Sequence, residues 1–210
     1  MVQTTQAKDL TLHEVKLKFG LKLSEDDQFF WEWRDDLPEI TDLEKRSLDQ
    51  VKADYLHLSE YPMPESLVKM VVLSPLLALA GFYRPPFRVT AEAPVQITAE
   101  DEGETVQGRI DVLVIQEQLW VLVIESKRGS FSLEPALPQA LAYMMANPNP
   151  DKPAFGLVTN GSNFLFIKLM KQDTPQYALS DEFTLRRGND LYRVLRILKR
   201  LGALLTQDSK

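Results

Sequence analysis

The chain has 210 residues, no cysteine, two histidines and a formal net charge of −6. At 44% apolar and 26% charged it is neither disordered nor membrane-embedded in character, and its length suits one sizeable core with a small appendage. Disulfides and thiolate metal sites are excluded, and His13 and His57 are too few for a histidine-rich zinc centre. Any metal must therefore be held by carboxylates, which points to Mg²⁺ or Mn²⁺. The longest apolar stretch, Val71 to Phe82, is interrupted by Ser74 and Pro75 and is too short to cross a bilayer. The N-terminus has no apolar signal core, so the expected location is the cytoplasm.

The first 60 residues read as a helical N-terminal extension. Ser24 and Asp27 are spaced as a capping box for a short helix through Phe29, Phe30, Trp33 and Leu37. Thr41 and Glu44 cap a second helix past Leu48, Val51, Tyr55 and Leu58. Phe29, Phe30, Trp31 and Trp33 are too many aromatics for one buried stripe, so at least one is expected at an interface, with a second protomer as a candidate homo-oligomeric partner. Pro62 and Pro64 end this region, and 61–210 is expected to form the main domain. A third helix begins at Glu65 and runs through Leu67, Val68, Val71 and Val72 to a kink near Pro75.

Extended runs follow. Val89–Thr98 and Val106–Ile115 flank the acidic turn Ala99–Glu104, and Leu119–Ser126 continues the set. A helix is expected from about Glu134 to Ala146, then a loop over Pro148–Pro153. Phe155–Thr159 and Phe164–Leu169 flank an Asn160-Gly161 turn, and an amphipathic helix over Asp190–Leu205 closes the pattern. The expected order is helices, three strands, helix, two strands, helix.

The chemistry concentrates in Gly108–Lys127, two β-branched runs joined by a polar tip at Gln116–Gln118. Glu125 and Lys127 share one strand face while Ser126 points the other way. An odd-numbered loop places Asp111 on that same face, opposite or diagonal to Glu125. Burying such charges needs a reason, and a divalent cation between the carboxylates is the natural one. The bland alternative is a surface ion pair ending an edge strand.

Asp111 followed by Glu125-x-Lys127 on the next strand resembles the core of the PD-(D/E)xK, restriction-endonuclease-like nucleases. Gln139 and Tyr143 in P-Q-A-L-A-Y resemble the Q-x-x-x-Y element of one branch of that superfamily. Gly156-Leu-Val-Thr-Asn-Gly161 is similar to the strand and turn that follow in the N-terminal nuclease domain of type I restriction enzyme R subunits. Pro64-Glu65-Ser-Leu-Val-Lys-Met resembles the family's first helix with its glutamate, so the likeness spans roughly residues 61–170.

The resemblance implies an α/β, restriction-endonuclease-like fold: a central mixed β-sheet flanked by helices, with the helical N-terminal extension attached. It implies metal-dependent hydrolysis of DNA phosphodiesters, with Mg²⁺ or Mn²⁺ held by Asp111, Glu125 and the Ser126 carbonyl and with Lys127 orienting or deprotonating the attacking water. Glu65 would complete the site, although a first-turn acid is also what a helix dipole favours. Glu92 is a weaker competitor for that place. Gln139 and Tyr143 would support it by holding phosphate oxygens or Lys127, against the plainer reading of a packed helix pair. No Walker motif is present, and the likeness covers the nuclease part of an R subunit alone, so a motor or specificity subunit would come from partners. The alternative function is a non-catalytic DNA-binding or assembly subunit that retains the fold.

Charge does not decide between these readings. Residues 1–64 carry 14 acids and 8 bases, so the remainder is neutral. Arg186–Arg200 holds six bases against the single acid Asp190. Arg193, Arg196 and Arg200 share a helix face that is expected either to be a solvated surface or to grip DNA phosphates.

Overall fold

The computed structural model describes residues 4–98, 105–116, 119–126, 132–172 and 174–207, with the side chains of 98, 119–126 and 205–207 left aside. In chain order the elements are β1 (Thr4–Gln6), α1 (Leu12–Phe19), β2 (Lys22–Leu23), α2 (Asp42–Leu58), α3 (Glu65–Val68), a π turn (Lys69–Leu73), α4 (Ser74–Leu79), β3 (Phe87–Thr98), β4 (Thr105–Gln116), β5 (Leu119–Ser126), α5 (Leu137–Met145), β6 (Ala154–Thr159), β7 (Asn163–Met170), β8 (Gln176–Thr184) and α6 (Asp190–Gln207). The strands make one mixed sheet in the order β1-β4-β5-β6-β7-β8-β2, with β3 also paired to β4. β5 and β6 run parallel, joined through α5, whereas β3–β4, β4–β5, β6–β7 and β7–β8 are antiparallel. This is the expected mixed sheet flanked by helices.

Each sheet face has its own core. On one face α2, the π turn, α4 and α6 pack Leu48, Val72, Leu76 and Leu198 onto Phe155, Leu157, Phe164 and Phe166. On the other, α1 and α5 pack Val15, Ala140 and Leu141 onto Ile110, Val158 and Ile167. β6 is therefore buried along its whole length, which explains why A-F-G-L-V-T is a continuous apolar run rather than an alternating one.

Several local expectations hold. Thr41 and Glu44 form the reciprocal capping box of α2, and an analogous box joins Thr11 to Glu14 at α1. The helix kink falls over 69–73 as a π turn. Pro75 has no N–H to offer the carbonyl four residues earlier, so the ladder widens before it. Ser24 does not cap a helix. Its hydroxyl accepts from the Asp26 N–H, and Asp26 accepts from Gln28, which makes two short turns instead. Only a 3₁₀ turn forms, at Trp31–Trp33, and its threefold repeat aims Phe30 and Trp33 together into the core.

The division at residue 60 does not coincide with a seam. β1 pairs with β4 and β2 with β8, so the first 23 residues contribute strands to the sheet rather than helix alone. Both cores also draw on residues before 60, including Ala7, Leu21, Phe30 and Tyr55. The aromatic cluster needs no second protomer, because Phe30 stacks on Phe155 and Trp33 meets Phe183 edge-on. β8 was not expected. Its Asp181 and Glu182 interrupt the apolar alternation, and a register shift beside Leu165 keeps Phe183 inward despite them.

The basic face of α6 is turned to this N-terminal segment and half-buried against it. Arg196 donates to the carbonyls of Leu37 and Pro38, at 2.9 and 2.8 Å, and to Glu39. Arg193 lies over the rings of Trp33 and Phe183, and Arg200 lies over Trp31 beside Asp36. The three arginines strap residues 31–39 onto α6. Arg196→Gln is accordingly expected to lower unfolding stability by about 1–2 kcal/mol, the scale of lost charge-assisted bonds to backbone at a part-exposed position. A shift of the urea midpoint at constant slope measures it. A freely solvated arginine would move it by less than about 0.5 kcal/mol.

Candidate active site

Asp111 lies near the middle of β4 at a break in the sheet's alternation. Phe87 and Val89 of β3 pack with one core, yet Ala93 and Val95, at the same parity, pack with the other. The crossing point is Glu92, whose φ of +51° is rare for a residue with a side chain. The pairs Ala91↔Val112 and Ala93↔Ile110 bracket Glu92 and Asp111, so these two acids sit across from each other. Backbone strain of this kind persists where the surroundings over-determine it, and here the surroundings are charged.

On its other side β4 meets β5. Gln116 pairs with Leu119 and Ile115 with Trp120, leaving only 117 and 118 between the strands. The loop is thus even rather than the odd Gln116–Gln118. A bulge then shifts the register so that Val114 pairs with Leu122 and Val112 with Ile124. Carried one step further, this register sets Asp111 across from Glu125. The bulge supplies the odd residue that the loop does not. β5 continues beside β6, with Glu125 level with Val158 and Ser126 with Thr159. The side chains of Glu125 and Ser126, and all of Lys127, lie outside the described part of the chain.

A third element reaches Asp111 from above the sheet. Glu65 opens α3, and Lys69 follows four residues later on the same helix face. The Lys69 Nζ lies 2.7 Å from Glu65, 2.9 Å from Asp111 and 3.8 Å from Glu92. Asp111 is only 13% exposed and Lys69 22%, whereas Glu92 is 58% exposed. Burial opposes the charge on Lys69. Its hydrogen bonds to Glu65 and Asp111, with their negative charge, outweigh that and raise its pKa above the ordinary lysine value. The sign is that of a cation gaining partners: the stabilisation is intact at neutral pH and is lost only as pH rises through the elevated pKa. Glu65 and Asp111 thus share one ammonium. Lys69 was overlooked, although the i, i+4 spacing of E-S-L-V-K was in plain view.

Two further elements fix this geometry. Gly161 takes φ +84° in the Asn160-Gly161 turn, where a Cβ would meet Val68 at 2.6 Å and Tyr55 at 3.0 Å. The bare glycine lets α3 and α2 close onto the end of β6. Asn160 holds the turn by accepting from the Ser162 and Asn163 N–H groups. Below the sheet, Gln139 donates to the Tyr143 hydroxyl at 2.8 Å, and that hydroxyl accepts the Arg109 N–H at 3.2 Å. Tyr143 lies so close to β4 that a Cβ on Gly108 would come within 2.5 Å of its oxygen. Gln139 and Tyr143 are buried and brace the strand two residues before Asp111.

Among the described residues no group of three histidine, cysteine or acidic side chains is arranged to hold a metal ion. The donor set nevertheless suits one. Glu65 and Asp111 each direct a carboxylate oxygen to a common point, a cation already stands there in the form of the Lys69 ammonium, and all-oxygen donors match Mg²⁺ or Mn²⁺. An open cavity of about 430 Å³ adjoins this point, walled by Met70, Leu73, Leu77, Tyr83 and Val89.

The bracing role of Tyr143 is directly measurable. Tyr143→Phe leaves the Arg109 N–H without its acceptor and is expected to cost about 1–3 kcal/mol. Faster amide exchange at Arg109, with a lowered urea midpoint, is the expected outcome.

A sequence-family model for the type I restriction enzyme R protein N terminus matches residues 10–174. Among solved structures, a fragment of a putative HsdR subunit of a type I restriction enzyme from Vibrio vulnificus YJ016 is similar at 19% identity and a TM-score of 0.42, covering 64% of this chain and 25% of that one. This chain thus spans about a quarter of the length of that structure. No curated protein matches the chain in sequence. Among the described residues no helix is long and apolar enough to cross a membrane. On the family match over most of its length, the chain belongs to the family of type I restriction enzyme R protein N-terminal domains.

Proposed function

We propose that this chain is a Mg²⁺-dependent DNA endonuclease of the restriction or DNA-processing type, acting with motor or specificity subunits as partners. The observation that carries the reading is Asp111: a poorly exposed carboxylate, lying across β3 from Glu92 and sharing the Lys69 ammonium with Glu65. Asp111 and Glu125 would hold the ion with the Ser126 carbonyl, and Glu65 would close the set from the helix side. When bound, the ion supplies charge stabilisation to the scissile phosphate and acidifies a nearby water. The residues do the rest. Asp111 is held rigid by β3 and by the Tyr143 brace below, so the carboxylate does not have to be ordered during the reaction. Lys127, two residues beyond Glu125, is the group assigned to orient or deprotonate the attacking water.

The α6 arginines are not offered as the DNA grip, since their guanidinium groups are committed to the strap and its aromatic rings. A better path runs along β4. Arg109 is exposed and two residues from Asp111 on the same strand, a rise of about 7 Å. Beyond it Gln107 is in register with both Gln96 and Gln6, and all three are exposed. Arg109 is the phosphate contact in this reading, and the glutamine row supplies uncharged donors and acceptors.

Cleavage of plasmid DNA with Mg²⁺ is the direct test. Asp111→Asn and Glu125→Gln should abolish it, and Lys127→Ala should slow it by about 10²–10⁴-fold. Full wild-type turnover in Asp111→Asn would sink the assignment. The alternative is the non-catalytic subunit, and Lys69 favours it to the extent that an ammonium already neutralises the carboxylates. Intact DNA alongside specific DNA binding would decide for it. For the path, Arg109→Ala should weaken DNA binding and flatten the log–log salt dependence by about 0.9, one phosphate contact. An unchanged slope would move the DNA off β4.

A further inference from the structure

Among the described residues Lys69 is the one cation placed among the site carboxylates, and in the P-E-S-L-V-K-M segment the family resemblance gives a role to Glu65 alone. Its ammonium stands where the oxygens of Glu65 and Asp111 converge. A divalent ion and this ammonium cannot occupy one point, because like charges a few ångströms apart repel strongly at a poorly solvated site. The chain gives the ammonium somewhere to go. Lys69 borders the 430 Å³ cavity, and Glu92, the outermost of its three partners, lines the same cavity. The backbone at Lys69 is already a π turn, where the helix ladder is widened.

We propose that Lys69 is a built-in counter-cation that holds Asp111 and Glu65 together in the metal-free protein and is displaced toward Glu92 when a divalent ion enters. This rests on the metal-site reading above and adds a positioning residue to it. Without a cation between them, the two carboxylates would repel, and poorly exposed Asp111 would lose the ammonium 2.9 Å away. With Lys69 present, they are held converged before the ion arrives, at the expense of some affinity for it. Glu92 then acts as the receiving partner and not as a ligand.

The test reads Mn²⁺ binding by calorimetry on the full chain, independently of cleavage. Lys69→Met, with Lys69→Gln beside it, should melt lower than wild type without metal yet bind Mn²⁺ about tenfold more tightly. Its rise in Tm on adding Mn²⁺ should also be larger. Glu92→Gln should weaken Mn²⁺ binding in wild type and have no effect in the Lys69→Met background. Persistence of the Glu92 effect there would make Glu92 a ligand and overturn its receiving role. In the wild-type protein, reductive methylation followed by mass spectrometry should find Lys69 slow to react without metal and several-fold faster at saturating Mn²⁺. Unchanged or weaker Mn²⁺ affinity in folded Lys69 variants would overturn the proposal, and so would a methylation rate that ignores Mn²⁺. Should wild type and variants all fail to bind Mn²⁺, the counter-cation role falls. Should Mn²⁺ bind as described while DNA stays intact, the role of Lys69 stands and the nuclease reading fails on its own.

Discussion

The arrangement of the site depends on one electrostatic constraint: Asp111 is a carboxylate at a nearly inaccessible position of a long interior strand. Nothing in a sheet requires a charge there, and leaving it uncompensated would cost several kcal/mol. The surrounding structure answers that cost. A helix brings Lys69 down onto the strand, Glu65 shares the same ammonium, and Glu92 adopts a left-handed conformation across the ladder. Each of these features is individually unfavourable or neutral for folding. A π turn weakens its helix, a positive φ strains its strand, and three acids around one base leave net negative charge. Their coincidence at one point marks the surroundings of Asp111 as a candidate functional site.

The framework around this point is rigid where the site needs rigidity. β6 is buried on both faces and carries the Thr159-Asn160-Gly161 turn at its end. Because Gly161 has no Cβ, Val68 and Tyr55 close over that turn, and the helix bearing Glu65 and Lys69 is seated relative to β6. On the opposite face Tyr143 passes its hydroxyl between Gln139 and the Arg109 N–H, which fixes β4 from below. Q-x-x-x-Y and T-N-G are in this molecule parts of the mounting. They lie on opposite sides of the sheet and hold its strands in place.

How much of this was legible in the sequence differs from element to element. The β3–β4–β5 sequence was readable because its β-branched runs are long and bounded by polar turns. The antiparallel pairing of β4 with β5 was also readable, but the loop-length argument for its register was only half right. The loop is even, and the bulge opposite Val114 and Ile115 restores the parity. Bulges leave no reliable trace in composition, so a register argument from loop length alone could have failed by one residue and reversed every face. β1 and β2 are three and two residues long, too short for any periodicity to register, and they are specified by the edges they cover. Lys69 was missed for a different reason. A lysine four residues after a glutamate is the commonest stabilising pair on a helix surface, and sequence cannot distinguish that use from one aimed inward.

The arginines of α6 show how a charge pattern misleads when the partner lies far away in sequence. Six bases in fifteen residues look like a nucleic-acid surface, and the acids that meet three of them lie some 160 residues upstream. Glu39 meets Arg196, Asp36 meets Arg200, Glu44 meets Lys199, and the buried Glu32 meets Lys168 of β7. Part of the acidic excess of residues 1–64 thus meets part of the basic run of α6, with Glu44 largely buried and Asp36 and Glu39 at the exposed rim. These paired charges contribute little to the field beyond a Debye length. A DNA partner would then respond less to the total than to the local pattern around Asp111, where the carboxylates of the proposed site give way to Arg109 and a neutral glutamine row along the same strands. An acidic protein can in this way present a phosphate backbone with a short unrepelled approach, and a cation at Asp111 would remove the main repulsion at its end.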